Sequence, residues 1–263
     1  MSKAHVMNVA PCLPLCALMS LSATVPAPPV ADDLFELVRK GSITATAKGL
    51  GGHEGDCLSL TLINRTGSPL MAEIRPGALM ISEDSALQNL MIVRREQVLL
   101  PSFGKATVTC RAFCAESSDG GPGMDSPFLV ARMAAPLLVA LAAHVNEQRY
   151  SDGAVQEAVW VLSNGHSVSE VVGDGLTDAL PLREFVAGLA GVEVPWYSTF
   201  RDRPRSPDRV YSKAPVRVNG EVDFELNTHA LVTILIKDAR QRTVRVMATT
   251  ATWAQAGTAS RST

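Results

Sequence analysis

This chain has few aromatic residues and no large excess of positive or negative charge. Phenylalanine, tryptophan and tyrosine make up 5% of its 263 residues, which disfavours the stacked rings that bind single-stranded nucleic acid. Its 24 lysines and arginines are balanced by 26 aspartates and glutamates, so the formal net charge is −2. A basic surface for nucleic acid is therefore not expected. The chain is long enough for one large domain or two small ones, each with a core.

The histidines also lack the spacing of a metal site. His53, His144, His166 and His229 are scattered along the chain, so neither a metal nor a cofactor is expected. His166 follows an Asn-Gly pair that ends a predicted helix. Its expected role is to interact with the C-terminus of that helix or with solvent.

Residues 1–27 have the layout of a secretory signal peptide. The positive charge of Lys3 precedes an apolar segment from Val6 to about Ala23, and small residues follow. This layout predicts export to the surface or surroundings of a bacterium, the alternative being a disordered apolar tail. Cys16 lies where a lipoprotein would carry its lipid, but the bulky Leu15 before it argues against lipid attachment. No later apolar run reaches the roughly 20 residues of a membrane-spanning helix.

Removal of the signal leaves three cysteines, Cys57, Cys110 and Cys114. An odd number in an exported protein indicates a thiol that is free or specially used. If Cys114 is that thiol, Cys57 and Cys110 are the candidates for a disulfide. The alternative is a Cys57–Cys114 disulfide, with Cys110 buried as a small apolar residue.

The first half of the exported chain has the two-residue period of β-strands. Leu58, Leu60 and Leu62 alternate with polar residues, and a last strand is predicted from Ala106 to Phe113. Short strands at this spacing are typical of a β-sandwich or barrel. The predicted fold class is therefore mainly β, beginning with a β-sandwich.

Helical patterns follow the glycine-rich segment 120–123. Pro136 begins one predicted helix, and Asp152 is the expected N-cap of a second that ends at Asn164. Pro181 lies near the start of a third. Residues 28–198 are thus predicted to form a β-sandwich with an appended helical segment.

A second β pattern follows a segment rich in arginine, proline and serine. That segment, residues 199–215, is predicted to be a linker. Apolar residues then alternate with polar ones from Val222 to Val246. Residues 216–258 are predicted to form a small β module that is shortened at its end.

Two short motifs contain the residue pair with the clearest chemistry. The first is FCA at 113–115, and the second is VQEAVW at 155–160, where a helix begins. The Cys114 thiol and the Gln156 carboxamide can condense into an internal thioester with loss of ammonia. Phe113 and Trp160, the latter one helical turn after Gln156, are expected to shelter that bond from water. The alternative is that Gln156 caps the helix while Trp160 packs in the core.

The two motifs resemble the paired motifs of bacterial thioester domains, which lie at the tips of surface adhesins. In that family the cysteine ends a strand and the glutamine begins a helix in an attached helical part. The resemblance implies that Cys114 and Gln156 form the bond, and that the target is an amine on an extracellular protein or surface. The separation of the pair, 156 − 114 = 42 residues, is shorter than is usual in those adhesins.

A wider set of motifs resembles a family of uncharacterised exported proteins of Bacteroidetes-type bacteria. The motifs are GDCL at 55–58, NRT at 64–66, RPG at 75–77, AVWVLSNGH at 158–166 and PWY at 195–197. The stretch 230–239 is similar to Ig-like modules of the flagellar-hook-capping or secretion-sorting type. Those modules are structural or carry an address, but Asp238 here lacks the glycine that usually follows it.

Together these patterns predict an exported, non-enzymatic adhesion or scaffold protein that carries a Cys-Gln thioester. One alternative is a plain structural module with a Cys57–Cys114 disulfide. The other is a cysteine-dependent enzyme, in which His144 or His166 would act as the base for Cys114.

Overall fold

The computed structural model describes residues 30–174, 179–201, 209–213, 215–224, 230–238, 240–252 and 257–260. The protein is mainly β with a small helical part, which confirms the predicted fold class. The predicted signal peptide lies outside the described residues. Within the described ranges, no helix has the length and apolar character needed to cross a membrane. The helices are α1 (Leu34–Arg39), α2 (Pro136–Glu147), α3 (Asp152–Asn164) and α4 (Leu180–Ala190), with a 3-10 turn at Val168–Glu170.

Fifteen strands form the described sheets. Those of the first part are β1 (Ala31–Asp33), β2 (Ile43–Leu50), β3 (Leu58–Asn64), β4 (Leu70–Ile74), β5 (Ala78–Ser82), β6 (Leu90–Ile92), β7 (Glu96–Leu100), β8 (Lys105–Cys110), β9 (Ala112–Cys114) and β10 (Met124–Met133). Those of the second part are β11 (Tyr197–Arg201), β12 (Pro215–Phe224), β13 (Ala230–Lys237), β14 (Thr243–Thr252) and β15 (Gly257–Ser260).

The largest sheet is curled. Its strand order is β8-β3-β2-β10-β5-β6-β9, and a second sheet has the order β1-β4-β7. The first and last strands of the curled sheet, β8 and β9, are separated in the chain by Arg111 alone. The single strand predicted from Ala106 to Phe113 is therefore interrupted at Arg111, because its two halves pair with opposite edges of the sheet.

Two hydrophobic cores lie on opposite faces of the curled sheet. The first contains Leu58, Leu60 and Leu62, all fully buried, which confirms the predicted alternation along β3. Full burial of each leucine contributes roughly 1.5–3 kcal/mol. The second core lies between β6, β9 and the helices. Along β9 the side chains alternate, so Phe113 belongs to the second core and Cys114 to the first.

The three predicted helices are confirmed, and their apolar faces form most of the second core. Pro136 begins α2 and Pro181 lies in the first turn of α4. The N-cap of α3 is Ser151 rather than Asp152. Asp152 is the first helical residue, and its carboxylate pairs with Arg111 at the break between β8 and β9.

Strand β11 joins the helical region to the last strands, although the sequence assigned its second half to a linker. Thr199 pairs with Val218 in the antiparallel β11–β12 ladder. The Thr199 hydroxyl is also 2.9 Å from that of Ser169 in the 3-10 turn. Val210 and Tyr211 pack against the first core. The described parts of the 199–215 segment are thus tied to the preceding region.

Candidate functional site

Cys114 lies at the end of β9, where the sheet meets the helices. Its side chain is fully buried in the first core. The outer edge of β9 faces the loop after β2, because His53 O accepts from the Cys114 N–H and Gly55 O accepts from the Ala112 N–H. Cys114 therefore sits on an edge strand that is covered on its free side.

Gln156, near the start of α3, is bound to the backbone of Cys114 through both atoms of its side-chain amide. The Cys114 N–H donates to Gln156 Oε1 at 3.0 Å, and Gln156 Nε2 donates to Cys114 O at 2.8 Å. Only 2% of the glutamine is exposed. The structure thus brings the two predicted thioester residues together, with the amide lying along the edge of β9.

The two residues predicted to cover the pair lie on different sides of it. Trp160 is 2% exposed and belongs to the same core as Cys114. Phe113 is fully buried in the other core, against the helices. The Trp160 Nε1–H has no hydrogen-bond acceptor among the described residues. A ring with an unused donor thus lies in the core that holds the Cys114 side chain.

The two disulfide candidates are free thiols in this structure. Cys57 and Cys110 are both buried in the first core, and the Cys57 thiol donates to Ala112 O at 3.2 Å. Burial raises the pKa of Cys57 and the pKa of Cys110 to about 12 each. The disulfide pairing of Cys57 stays a prediction.

The surroundings of Cys114 do not favour a catalytic thiolate. Burial, reinforced by the nearby Cys57 and by acidic side chains, raises the pKa of the Cys114 thiol far above its usual range. His144, one base considered for it, is 3.0 Å from the Tyr150 hydroxyl and stacks on Phe185. Burial therefore favours the protonated form of the Cys114 thiol.

His166, the other base considered, lies in a buried cluster that sequence reasoning missed. Its Nε2 is 2.8 Å from the Ser117 hydroxyl. Its Nδ1 is 3.7 Å from Glu157 Oε2 and 3.8 Å from Glu170 Oε2. The side chain of His166 is 8% exposed and that of Glu170 only 2%. Of the two roles predicted for His166, contact with solvent is therefore wrong, and interaction with the C-terminus of the helix stays a prediction.

Glu170 is held in place by Arg201 and Tyr211. Arg201 forms a two-pronged ion pair with the carboxylate, with Nε 2.8 Å from Oε2, and the Tyr211 hydroxyl donates to Oε2 at 3.0 Å. Burial alone would raise the pKa of Glu170. The hydrogen bonds and charge of Arg201, with the Tyr211 hydroxyl, outweigh burial and hold the pKa of this carboxyl below its usual value.

An aromatic cluster connects the His166 cluster with the core around Cys114. The ring of Trp160 is 5.6 Å from that of His166 and 6.3 Å from that of His53, centroid to centroid. The ring of Tyr211 is 4.0 Å from that of His166. The backbone carbonyl of His53 binds the Cys114 N–H. The predicted pair and the missed cluster are therefore neighbouring parts of one region.

The turn at the end of α3 explains why His166 was missed. Gly165 adopts a left-handed conformation with φ 70°, and the His166 N–H donates to Trp160 O at 3.4 Å. This turn folds the residue after the glycine back over the helix it terminates. The Asn-Gly pair at 164–165 was the signal that could have placed His166 over Trp160 rather than in solvent.

A separate cavity of about 340 Å³ lies between the end of α2 and the residues that follow β6 and β8. Arg94, Arg111 and Arg149 line it, together with Tyr150. The guanidinium of Arg111 is already paired with Asp152.

Comparison of the chain with models of known protein families, with curated proteins and with solved structures finds no match.

Proposed function

We propose that this chain is an exported, non-enzymatic adhesion or scaffold protein that attaches to amines through a thioester between Cys114 and Gln156. The observation that carries the proposal is the pair of hydrogen bonds between the Gln156 amide and the Cys114 backbone. Residues 42 positions apart are held side by side in a site with no exposed surface at the cysteine.

The chemistry of bond formation uses only these two side chains. The Cys114 sulfur attacks Gln156 Cδ, the Sγ–Cδ bond forms, and the Cδ–Nε2 bond breaks. The thiol proton leaves with the amide nitrogen as ammonia. The Cys114 N–H that donates to Oε1 polarises the carbonyl and stabilises negative charge that develops on this oxygen.

The stored bond would react with a target amine. The amine nitrogen attacks Gln156 Cδ, the Sγ–Cδ bond breaks, and the sulfur takes up a proton to become a thiol again. Burial of the pair beside Trp160 supports this role, because a thioester must be protected from water until the target arrives. The apolar segment at the N-terminus supports export.

The remaining parts of the chain fit the same proposal. The curled sheet with its second sheet is read as the β-sandwich of a thioester domain, and α2–α4 as its helical part. Strands β12–β15 are read as a small Ig-like module that supports or displays the reactive part. The partner is an amine on an extracellular protein or cell surface.

A plain structural module is the second candidate, and one observation favours it. The Gln156 amide completes the hydrogen bonding of a buried strand edge, which is a sufficient reason for a glutamine at this position. In that case Cys57 and Cys114, both in the first core, are either thiols or a disulfide, and no residue reacts.

Methylamine treatment followed by peptide mapping tests the proposal. The signal-free protein is expected to gain one methylamide, on Gln156. Gln88 is a matched internal control, because it is also fully buried but donates to Asp119 O instead of contacting a cysteine. Cys114→Ala should abolish labelling and Cys57→Ala should not. A protein that stays unlabelled, or labelling that survives Cys114→Ala, would leave the structural module as the better account.

A further inference from the structure

We propose that Glu157, His166 and Glu170 form a binding site for one divalent metal ion, with zinc as the ion that suits the ligands best. The three side chains offer one imidazole nitrogen and two carboxylate oxygens, all within 4.8 Å of one another. This site is independent of the thioester, since neither Cys114 nor Gln156 belongs to it.

The distances from His166 Nδ1 to the two carboxylates are those of ligands around an ion rather than those of hydrogen bonds. His166 Nδ1 is 3.7 Å from Glu157 Oε2 and 3.8 Å from Glu170 Oε2. A hydrogen bond between nitrogen and oxygen is closed by roughly 3.2 Å. Two ligands at about 2.1 Å from a common zinc ion lie roughly 3.0–4.2 Å apart, depending on the angle between them.

The imidazole nitrogen that faces the carboxylates has no hydrogen-bond partner among the described residues. Nδ1 of His166 and Oε2 of Glu157 are both buried and have no hydrogen-bond partner. Only 8% of the His166 side chain is exposed. The contact between Nε2 and the Ser117 hydroxyl fixes the ring and can take the single proton of a neutral imidazole. Nδ1 is then unprotonated, and its lone pair faces two carboxylates. A cation bound between these groups would stabilise this arrangement.

Charge and support around the site are consistent with a cation. When both carboxyls are ionised, two carboxylates face one guanidinium, that of Arg201; burial raises the pKa of Glu157, and a bound cation would favour its ionised form. Arg201 donates to both oxygens of the Glu170 carboxylate and the Tyr211 hydroxyl donates to Oε2, and these contacts fix the carboxylate as residues outside the coordination sphere do in metal sites. Imidazole with carboxylate ligands is a zinc donor set, and three protein ligands leave a position for water.

The ion would fasten three separate pieces of backbone. Glu157 belongs to α3, His166 follows the turn that ends α3, and Glu170 belongs to the 3-10 turn. Arg201 of β11 pairs with Glu170, so β11 is connected to the site as well. Zinc would thus fix the end of the helix that carries Gln156 and Trp160.

Zinc titration by calorimetry, on the full signal-free chain after removal of metals with a chelator, tests the site. One zinc ion per chain is expected, and native mass spectrometry should show the same stoichiometry. Glu157→Gln and His166→Ala should each weaken binding at least tenfold. His144→Ala is the matched control, because His144 is also partly buried but bonds Tyr150 outside the cluster, and it should bind like the wild type.

Ser117→Ala is a milder change that still tests the site if the variants of the ligands fail to fold. It removes only the contact to His166 Nε2, keeps all three ligands, and should weaken zinc binding about tenfold. Wild-type protein without one-to-one zinc binding would overturn the proposal, and so would unchanged affinity in His166→Ala. Since methylamine labelling is measured separately, a negative zinc result leaves the thioester standing, and the reverse also holds.

Discussion

The side-chain amide of Gln156 takes the place of a neighbouring strand for Cys114. Its oxygen accepts from the Cys114 N–H at 3.0 Å and its nitrogen donates to the Cys114 carbonyl at 2.8 Å. Because β9 is the last strand of the curled sheet, no strand pairs with these groups on that side; the Cys114 N–H is shared between Gln156 and His53 O of the loop after β2, and Gln156 Nε2 donates to the carbonyl. A glutamine from α3 therefore completes the edge of the sheet and binds the helical layer to it.

Removal of this amide should destabilise the fold even where no thioester can form. Starting from Cys114→Ala, the further change Gln156→Ala removes the donor to the carbonyl of residue 114. We expect the free energy of unfolding to fall by about 1–3 kcal/mol, because a buried carbonyl loses its partner. Denaturant unfolding measures the difference. Gln148→Ala is the matched control, since that glutamine is exposed and its change should stay within about 0.5 kcal/mol.

The buried thiols should resist alkylation in the folded protein. With pKa values of about 12, Cys57 and Cys110 hold roughly one thiolate in ten thousand at pH 8. Because burial raises these pKa values, unfolding lowers them and restores reactivity. Mass spectrometry after iodoacetamide should find both cysteines unmodified in the native protein and both modified in guanidinium.

The same experiment separates the alternatives for Cys57. If Cys57 stays unmodified in guanidinium until a reductant is added, it is part of a disulfide. Rapid alkylation of the native protein would instead contradict the burial of these thiols.

Loss of the Arg201 guanidinium should lower the free energy of unfolding substantially. Glu170 is 2% exposed and is paired with Arg201, so Arg201→Met leaves a buried carboxylate without its main counter-charge. We expect a loss of about 3 kcal/mol in the free energy of unfolding, measured with a chelator present. Arg39→Met is the matched control, because the Arg39–Glu36 pair is exposed and screened by solvent, so its loss should change the free energy of unfolding far less. Equal effects of the two changes would contradict the assigned role of Arg201.

Local patterns predicted the elements of the fold, but not how the sheet closes. The alternation of Leu58, Leu60 and Leu62 identified a half-buried strand, and proline and glycine marked the helices. The break at Arg111 was not visible, because the residues on both sides of it keep the same alternation. It results from the curl of the sheet, which brings non-local strands together on either side of one residue.

The candidate site was also only partly predictable from the sequence. Cys114 and Gln156 were found from short motifs, since each lies at the end of a local element. Glu157 was not linked to His166 and Glu170, because the turn at Gly165 is what brings it close to them. Strand β11 was assigned partly to a linker, since the neighbouring residues are rich in arginine and proline.

The central claim is most directly tested by the intact mass of the signal-free protein, purified without amines. A thioester predicts a mass that is one ammonia below the value calculated from the sequence with free thiols. Cys114→Ala should show its full calculated mass, and Cys57→Ala should retain the deficit. A wild-type protein at its full calculated mass, or lower only by the two hydrogens of a disulfide, would contradict the thioester.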